Sequence, residues 1–246
     1  MALKMTAVGR RARLPSASTK RAFQRRLLRW YRRHGRELPW RETRDPYKIL
    51  VSEIMLQQTQ VDRVIPKYHE FLSRYPTFDV LAKARATAVK KAWYPLGYNI
   101  RPLRLHSIAR ETVARYGGRL PEEPEQLLQF KGIGRYTAGA VASFAYGKAA
   151  PILDTNVARV LHRVFIGVGD AKKSSARLWA LSEALLPPAA AYDFNQGLMD
   201  FGAMVCTARQ PGCATCALRP LCASYPFEPA AARRRPRRRH GQTHRR

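Results

Sequence analysis

Cys206, Cys213, Cys216 and Cys222 are the only cysteines in the chain, and they fall in one short stretch spaced C-x6-C-x2-C-x5-C. Four thiolates converging from a single segment suit a tetrahedral metal ion or an iron–sulfur cube, and ligand type alone does not separate zinc from iron–sulfur. Two disulfides are the alternative, disfavoured in an intracellular setting. Two carboxylates are candidates for acid–base work. Glu53 lies one helical turn after Ile49 and Leu50 and directly before Ile54, surroundings that raise a carboxyl pKa and let it act as an acid; the plainer reading is an exposed glutamate on an amphipathic helix. Asp154, in Pro151-Ile152-Leu153-Asp154-Thr155-Asn156-Val157, is by itself a good helix N-cap. Gly132-Ile133-Gly134 permits an unusual turn that presents consecutive N–H groups to an anion at a helix start, although ordinary turn glycines read the same way.

The elements that must carry these residues are helical nearly throughout. Phe23, Leu27, Trp30 and Tyr31 share one helix face. Asp45-Pro46 reads as an N-cap with proline at the first helical position, opening a helix through Met55. Pro66 reads as the start of another, through Tyr68, Phe71 and Leu72. Leu105, Ile108, Thr112 and Tyr116 mark a helix stopped by Gly117-Gly118. Residues Pro121 to Phe130, Thr137 to Tyr146 and Asn156 to Val164 read as further helices, and no hairpin, repeat or heptad emerges. Short breaks marked by Gly and Pro indicate an all-α protein.

Charge points to the partner. The chain carries 45 Lys+Arg against 17 Asp+Glu, a formal +28. Residues 1–41 hold thirteen Lys/Arg and one acid, residues 223–246 hold eight Arg and one acid, and +9 remains between them. The basic ends alone therefore do not account for the excess, and nucleic acid is the favoured partner. No apolar run approaches the roughly 20 residues of a membrane helix, and no secretory signal pattern is present. The first twenty residues read as a DNA-attracting arm rather than an organelle presequence.

The cysteine spacing at the end of a helical chain resembles the 4Fe–4S loop of the helix-hairpin-helix DNA glycosylases, the family of endonuclease III and the adenine glycosylases. Phe130-Lys131-Gly132-Ile133-Gly134-Arg135-Tyr136-Thr137 resembles the family's helix-hairpin-helix. Ser52-Glu53-Ile54-Met55-Leu56-Gln57-Gln58-Thr59-Gln60, with Leu38-Pro39-Trp40-Arg41 and Asp45-Pro46-Tyr47-Lys48, is similar to the adenine-excising branch. The likeness covers roughly residues 22–222.

The resemblance implies roles. Glu53 is the general acid that protonates adenine at N7, and Asp154 is the anion beneath the sugar, as stabiliser or transient nucleophile, with Asn156 helping to hold the pair in place. Tyr136, eighteen residues before Asp154, stands where strand-cutting members carry a lysine; a phenol cannot form a Schiff base, so the enzyme is monofunctional. Arg36, Trp40, Arg41 and Leu56 line the base pocket. Gln58 and Tyr98 probe and wedge the base stack. Gly132, Gly134 and Arg135 grip DNA phosphate, and Arg209 and Arg219 flank the cysteine loop toward it. The four cysteines hold a 4Fe–4S cluster that organises this loop and takes no part in catalysis. Two features depart from the pattern: Asn99 replaces a second tyrosine after Tyr98, and the Nudix-related domain that reads 8-oxoguanine in many adenine glycosylases does not follow Cys222.

The resulting expectation is an all-α, bilobal fold with a DNA groove between a six-helix barrel (46–146, with the hairpin) and an iron–sulfur lobe (21–45 with 147–225). A disordered basic arm (1–20) and an Arg-rich tail (226–246) flank it. The expected enzyme is a monomeric, monofunctional glycosylase of bacterial type, cytoplasmic and nucleoid-associated, that binds mismatched double-stranded DNA and excises adenine opposite guanine or 8-oxoguanine. A thymine/uracil–guanine mismatch glycosylase of the same superfamily is the nearest alternative, since those enzymes share the hairpin tyrosine and phrases such as Asp193-Phe194-Asn195. A non-catalytic, metal-stapled DNA-binding protein is the alternative from another class.

Overall fold

Ser16 starts the first helix. Its Oγ accepts a hydrogen bond from the Thr19 amide at 3.2 Å, and α1 runs Ala17–His34 in the computed structural model, which describes residues 14–98, 100–167 and 174–227. The basic arm therefore ends sooner than residue 20, because a serine cap and the burial of Phe23 and Leu27 order the helix from residue 17. The earlier basic residues, Asn99 and the chain from residue 228 lie outside the described residues.

After Asp45, which accepts from the Tyr47 and Lys48 amides at 2.8 and 3.4 Å, α2 runs Pro46–Leu56. Eight of its residues are buried, Glu53 among them, so the helix is covered on all sides and shows no amphipathic stripe. Helix α3, Val61–Arg74, contains Pro66 rather than starting there. The fully buried Val64 holds the preceding turn in place, which offsets the backbone bond that proline cannot make. Helices α4 (Phe78–Lys83), α5 (Ala86–Trp93) and α6 (Ile100–Tyr116) follow. Of the helix expected over 121–130 only α7, Pro124–Leu127, forms, since the segment turns to bring Leu127 and Phe130 into the core. Helices α8 (Arg135–Phe144), α9 (Thr155–Phe165), α10 (Ser175–Leu185) and α11 (Ala191–Met204) complete the chain before two short 3-10 turns at Cys213–Thr215 and Arg219–Leu221. The described residues contain no strand.

Two packing groups result. Helix α2 lies against α3, α6 and α8, with α4 and α5 on α6 and α7 on α8. Helix α1 lies against α11, which packs on α9, and α9 on α10; α11 also touches α8 and joins the groups. Aromatic edges lock the second group, with Phe23 against Phe165 and Phe194 and Trp30 against Phe201 at ring separations of 5.1, 6.0 and 4.9 Å. Tyr225 to Phe227 belong to this folded part, since the Phe227 ring lies 3.9 Å from the Arg163 guanidinium; the expected tail boundary at 226 is thus too early.

The crossing of α9 and α11 depends on a missing side chain. A Cβ at Gly202 would fall 2.7 Å from Asn156 Cβ and 3.0 Å from its backbone carbonyl, and backbone there cannot give way. Gly202→Ala is therefore expected to destabilise the fold by about 1–3 kcal/mol in urea unfolding. A loss within about 0.5 kcal/mol, the range of an ordinary surface change, would contradict this crossing.

Candidate active site

Both groups line one cavity of about 1660 Å³, reached by Arg36, Trp40, Arg41, Glu53, Leu56, Gln58, Tyr136, Asp154 and Asn156. Glu53 and Asp154 come from helices far apart in sequence and face this common space. Asp154 is a helix cap and a cavity residue at once: Oδ1 accepts from the Val157 amide at 2.7 Å, and Oδ2 accepts from Asn156 Nδ2 at 3.0 Å. Asn156 Oδ1 in turn accepts from Arg159 Nη2 at 2.7 Å, and Arg159 Nε donates to the Cys206 carbonyl at 2.7 Å. A continuous hydrogen-bonded path thus links the cysteine segment to the Asp154 carboxylate. Burial raises the Asp154 pKa, while the Val157 amide, Asn156 and then the Arg159 charge restrain the rise.

Glu53 is 4% exposed, and its Oε2 has no hydrogen-bond partner. Burial pushes its pKa up to about 7; the nearby Tyr136 phenol works against the shift, the Asp154 charge adds to it, and Arg41 works weakly against it. The plainer reading of an exposed surface glutamate therefore fails. The Tyr136 hydroxyl donates to Met199 Sδ at 3.4 Å and is held protonated by burial and by the two carboxylates.

Arg36 and Arg41 line the cavity, but a residue that sequence reasoning missed takes their charges. Asp200, fully buried, accepts from Arg41 Nη1 and Nη2 at 2.8 and 2.9 Å and from Arg36 Nε at 2.7 Å. Burial alone would raise the Asp200 pKa; the Arg41 hydrogen bonds and charge, followed by Arg36, outweigh it and hold the group below the ordinary value. Trp40 packs edge-on against Tyr68 at 5.5 Å and forms cavity wall.

Gln196 was also missed. It is 3% exposed and lines the cavity, and no hydrogen bond holds its side chain among the described residues. Its carboxamide brings one donor and one acceptor edge to the cavity wall. Its neighbour Asn195, part of the phrase shared with thymine glycosylases, is structural: Nδ2 donates to Ser143 Oγ and to the Ala150 carbonyl at 3.0 and 2.9 Å.

At the hairpin only Gly132 uses glycine's freedom, with φ +110°. Gly134 is extended at φ −94° and caps α8 without a side chain, leaving the first N–H groups of α8 open to an anion. Arg135, expected on phosphate, has its guanidinium 3.9 Å from the Trp179 ring centroid. Gln58 and Tyr98 are exposed on loops in the left-handed region, φ 55° and 47°.

The four cysteines carry no disulfide. Burial raises the Cys216 and Cys222 thiols, the Leu218 and Ser224 amides lower them, and each feels the other cysteines. Arg163 Nη1 lies 3.4 Å from Cys206 Sγ. Among the described residues no three His, Cys, Asp or Glu side chains stand close enough to grip one metal ion. The donor set is four thiols within electrostatic reach of one another, served by arginine and amide donors. Four thiols are the ligand chemistry that an iron–sulfur cluster or a zinc ion takes.

Comparison with known proteins agrees with this geometry. Residues 51–184 match the family described as HhH-GPD superfamily base excision DNA repair protein. The chain is 44% identical over 212 residues to an adenine DNA glycosylase of Homo sapiens, covering 82% of this chain and 39% of that protein. It is 41% identical over 211 residues to a thymine-DNA glycosylase of Aeropyrum pernix, covering 83% and 94%. The solved structure of a thermostable thymine-DNA glycosylase superposes with a TM-score of 0.79 at 36% identity, covering 85% of this chain and 97% of the other. A matching family over more than half the chain, a matching helical fold and a cavity holding two carboxylates converge: the chain belongs to the HhH-GPD superfamily of base excision DNA repair proteins.

Proposed function

We propose that the protein is a monofunctional DNA glycosylase that hydrolyses the N-glycosidic bond of adenine mispaired with guanine or 8-oxoguanine. The observation that carries this reading is the pair Glu53 and Asp154: one carboxyl buried without a cation bonded to it, the other anchored by hydrogen bonds, both facing one cavity. Protonated Glu53 gives its proton to N7 of the extruded base, so the glycosidic electron pair can leave on N9. Asp154 stabilises the positive charge that develops on the sugar. Water adds at C1′ and loses a proton, leaving an abasic site and free adenine. No lysine lines the cavity among the described residues, in keeping with hydrolysis rather than an amine adduct.

Adenine is favoured because a ring nitrogen that accepts a proton matches an acid with a raised pKa, and because Gln57-Gln58-Thr59-Gln60 follows the adenine branch. Thymine or uracil opposite guanine is the second reading, favoured by the similarity to thymine-DNA glycosylases along nearly their whole length. Cys206, Cys213, Cys216 and Cys222 would hold a 4Fe–4S cluster, whose contribution is to close the 206–222 segment and so fix the Cys206 carbonyl that receives Arg159.

Two outcomes follow. Single-turnover assays on duplexes bearing A:8-oxoguanine, A:G, T:G and U:G should show excision of adenine in preference to the pyrimidines. The rate should fall as pH rises above about 7, because only protonated Glu53 is competent. Glu53→Gln should nearly abolish the reaction with mismatch binding intact; full activity of that variant on any duplex would remove Glu53 as the acid, and binding without excision by the unaltered protein would favour the non-catalytic alternative. Anaerobically purified protein should be brown, with iron and acid-labile sulfide near about four each per chain. Colourless protein with one equivalent of zinc would defeat the cluster assignment.

A further inference from the structure

Arg101, the second residue of α6, is 3% exposed. Among the described residues no carboxylate pairs with it. A buried guanidinium without a counter-ion is costly unless oxygen atoms replace its water. Here they do. Nη1 donates to the carbonyls of Ile54, Met55 and Gln57 at 3.0, 2.8 and 2.5 Å. Nη2 donates to Thr59 Oγ1 and to the carbonyls of Leu96 and Gly97 at 3.0, 3.1 and 3.3 Å. The cation lies 5.6 Å from the Trp93 ring centroid and 5.3 Å from that of Tyr98. Burial lowers the Arg101 pKa, from a starting value so high that the guanidinium stays charged.

The arrangement joins three things the chain supplies separately. The carbonyls of Ile54 and Met55 belong to the last turn of α2, the helix that carries Glu53, where a cation opposes the helix dipole. Gln57 and Thr59 flank Gln58, and Leu96 and Gly97 precede Tyr98. Gln58 and Tyr98 are the only non-glycine residues with positive φ among those described. Such backbone persists only where the surroundings over-determine it, and four of the six oxygens on Arg101, those of Gln57, Thr59, Leu96 and Gly97, are the shared constraint on both loops. Both side chains are exposed, Tyr98 by 59%, so nothing packed around them performs that service.

We propose that Arg101 is a positioning residue that locks residues 57–59 and 96–98 into one rigid wedge in register with the Glu53 helix, and so governs extrusion of the target base rather than bond cleavage. This rests on the glycosylase reading and on Gln58 and Tyr98 meeting the base stack. Arginine is required because a single lysine ammonium has three donors at one point and does not span both loops.

The test uses Arg101→Lys and, should that variant fold poorly by thermal melting, Thr59→Val, which removes one acceptor. Unstacking is read by the fluorescence of 2-aminopurine placed beside the target base. Cleavage is read as the single-turnover rate for that base in a mispaired duplex and opposite an abasic-site analogue, where the cost of extrusion is largely removed. Arg101→Lys should lose most of the fluorescence rise on binding and slow excision from the mispair by about tenfold or more, the scale of a lost charged hydrogen-bond set. Opposite the abasic analogue the loss should stay under about threefold on the same scale. Thr59→Val should shift both readouts in the same direction and by less. Equal losses in the two contexts, or an unchanged fluorescence rise, would overturn the proposal. Absence of excision by the unaltered protein on every duplex would instead overturn the glycosylase reading, and the fluorescence arm would still decide the role of Arg101.

Discussion

Burying the Glu53 carboxyl without giving it a cation of its own is the constraint from which the rest of the site follows. An acid so placed keeps its proton near neutrality, which the proposed chemistry needs, and any strong positive charge bonded to it would undo that. Arg41 is the cation close enough to do so. It spends both terminal nitrogens on Asp200, which also takes Arg36, and its effect on Glu53 is the smallest of those acting there. Asp200 therefore keeps two pocket arginines in place while muting their charge. Removing it would leave two guanidinium groups partly buried and unpaired, a change expected to cost stability as well as the pKa of the acid.

The second carboxyl must do the opposite and keep its charge. Burial works against that, and at the cap of α9 an amide, the Asn156 side chain and the positive end of a helix oppose the effect of burial and favour the Asp154 anion. Its support extends through Asn156 and Arg159 to the Cys206 carbonyl, so the geometry of the cysteine segment is felt at the site. Gly202 permits this, because only a residue without a side chain lets α11 approach Asn156 closely enough for its carbonyl to accept from Arg159 at 2.7 Å. Burial raises both carboxyls, but only Asp154 is bonded to groups that restrain the rise, which in the proposed chemistry divides acid from electrostatic stabiliser.

What was legible in the sequence was local. The Asp45-Pro46 start, the Asp154 cap and the Gly132 turn each announce themselves within a few residues, and the helical periodicity gives the all-α class. Glu53 was legible only through its motif, because α2 is buried all round and its pattern does not tell a buried glutamate from an exposed one. Asp200, Gln196, Arg159 and Arg101 were not found, because their roles arise from partners brought together by the fold; Arg36 and Asp200 are separated by 164 residues. Pro66 and the 121–130 segment were misread for the same reason, with tertiary burial of Val64 and Phe130 overriding the local signals.

The central claim is that the folded protein holds Glu53 protonated near neutrality, and it is tested most directly by titrating that carboxyl group itself. Carbon-13 NMR of protein labelled at glutamate side-chain carboxyls, with the Glu53 resonance assigned by its disappearance in Glu53→Gln, gives the midpoint without reference to any substrate. The structure predicts a midpoint at about 7. A midpoint at the ordinary glutamate value, about 4.3, would contradict the account, because Glu53 would then be an anion at neutral pH with no proton to give.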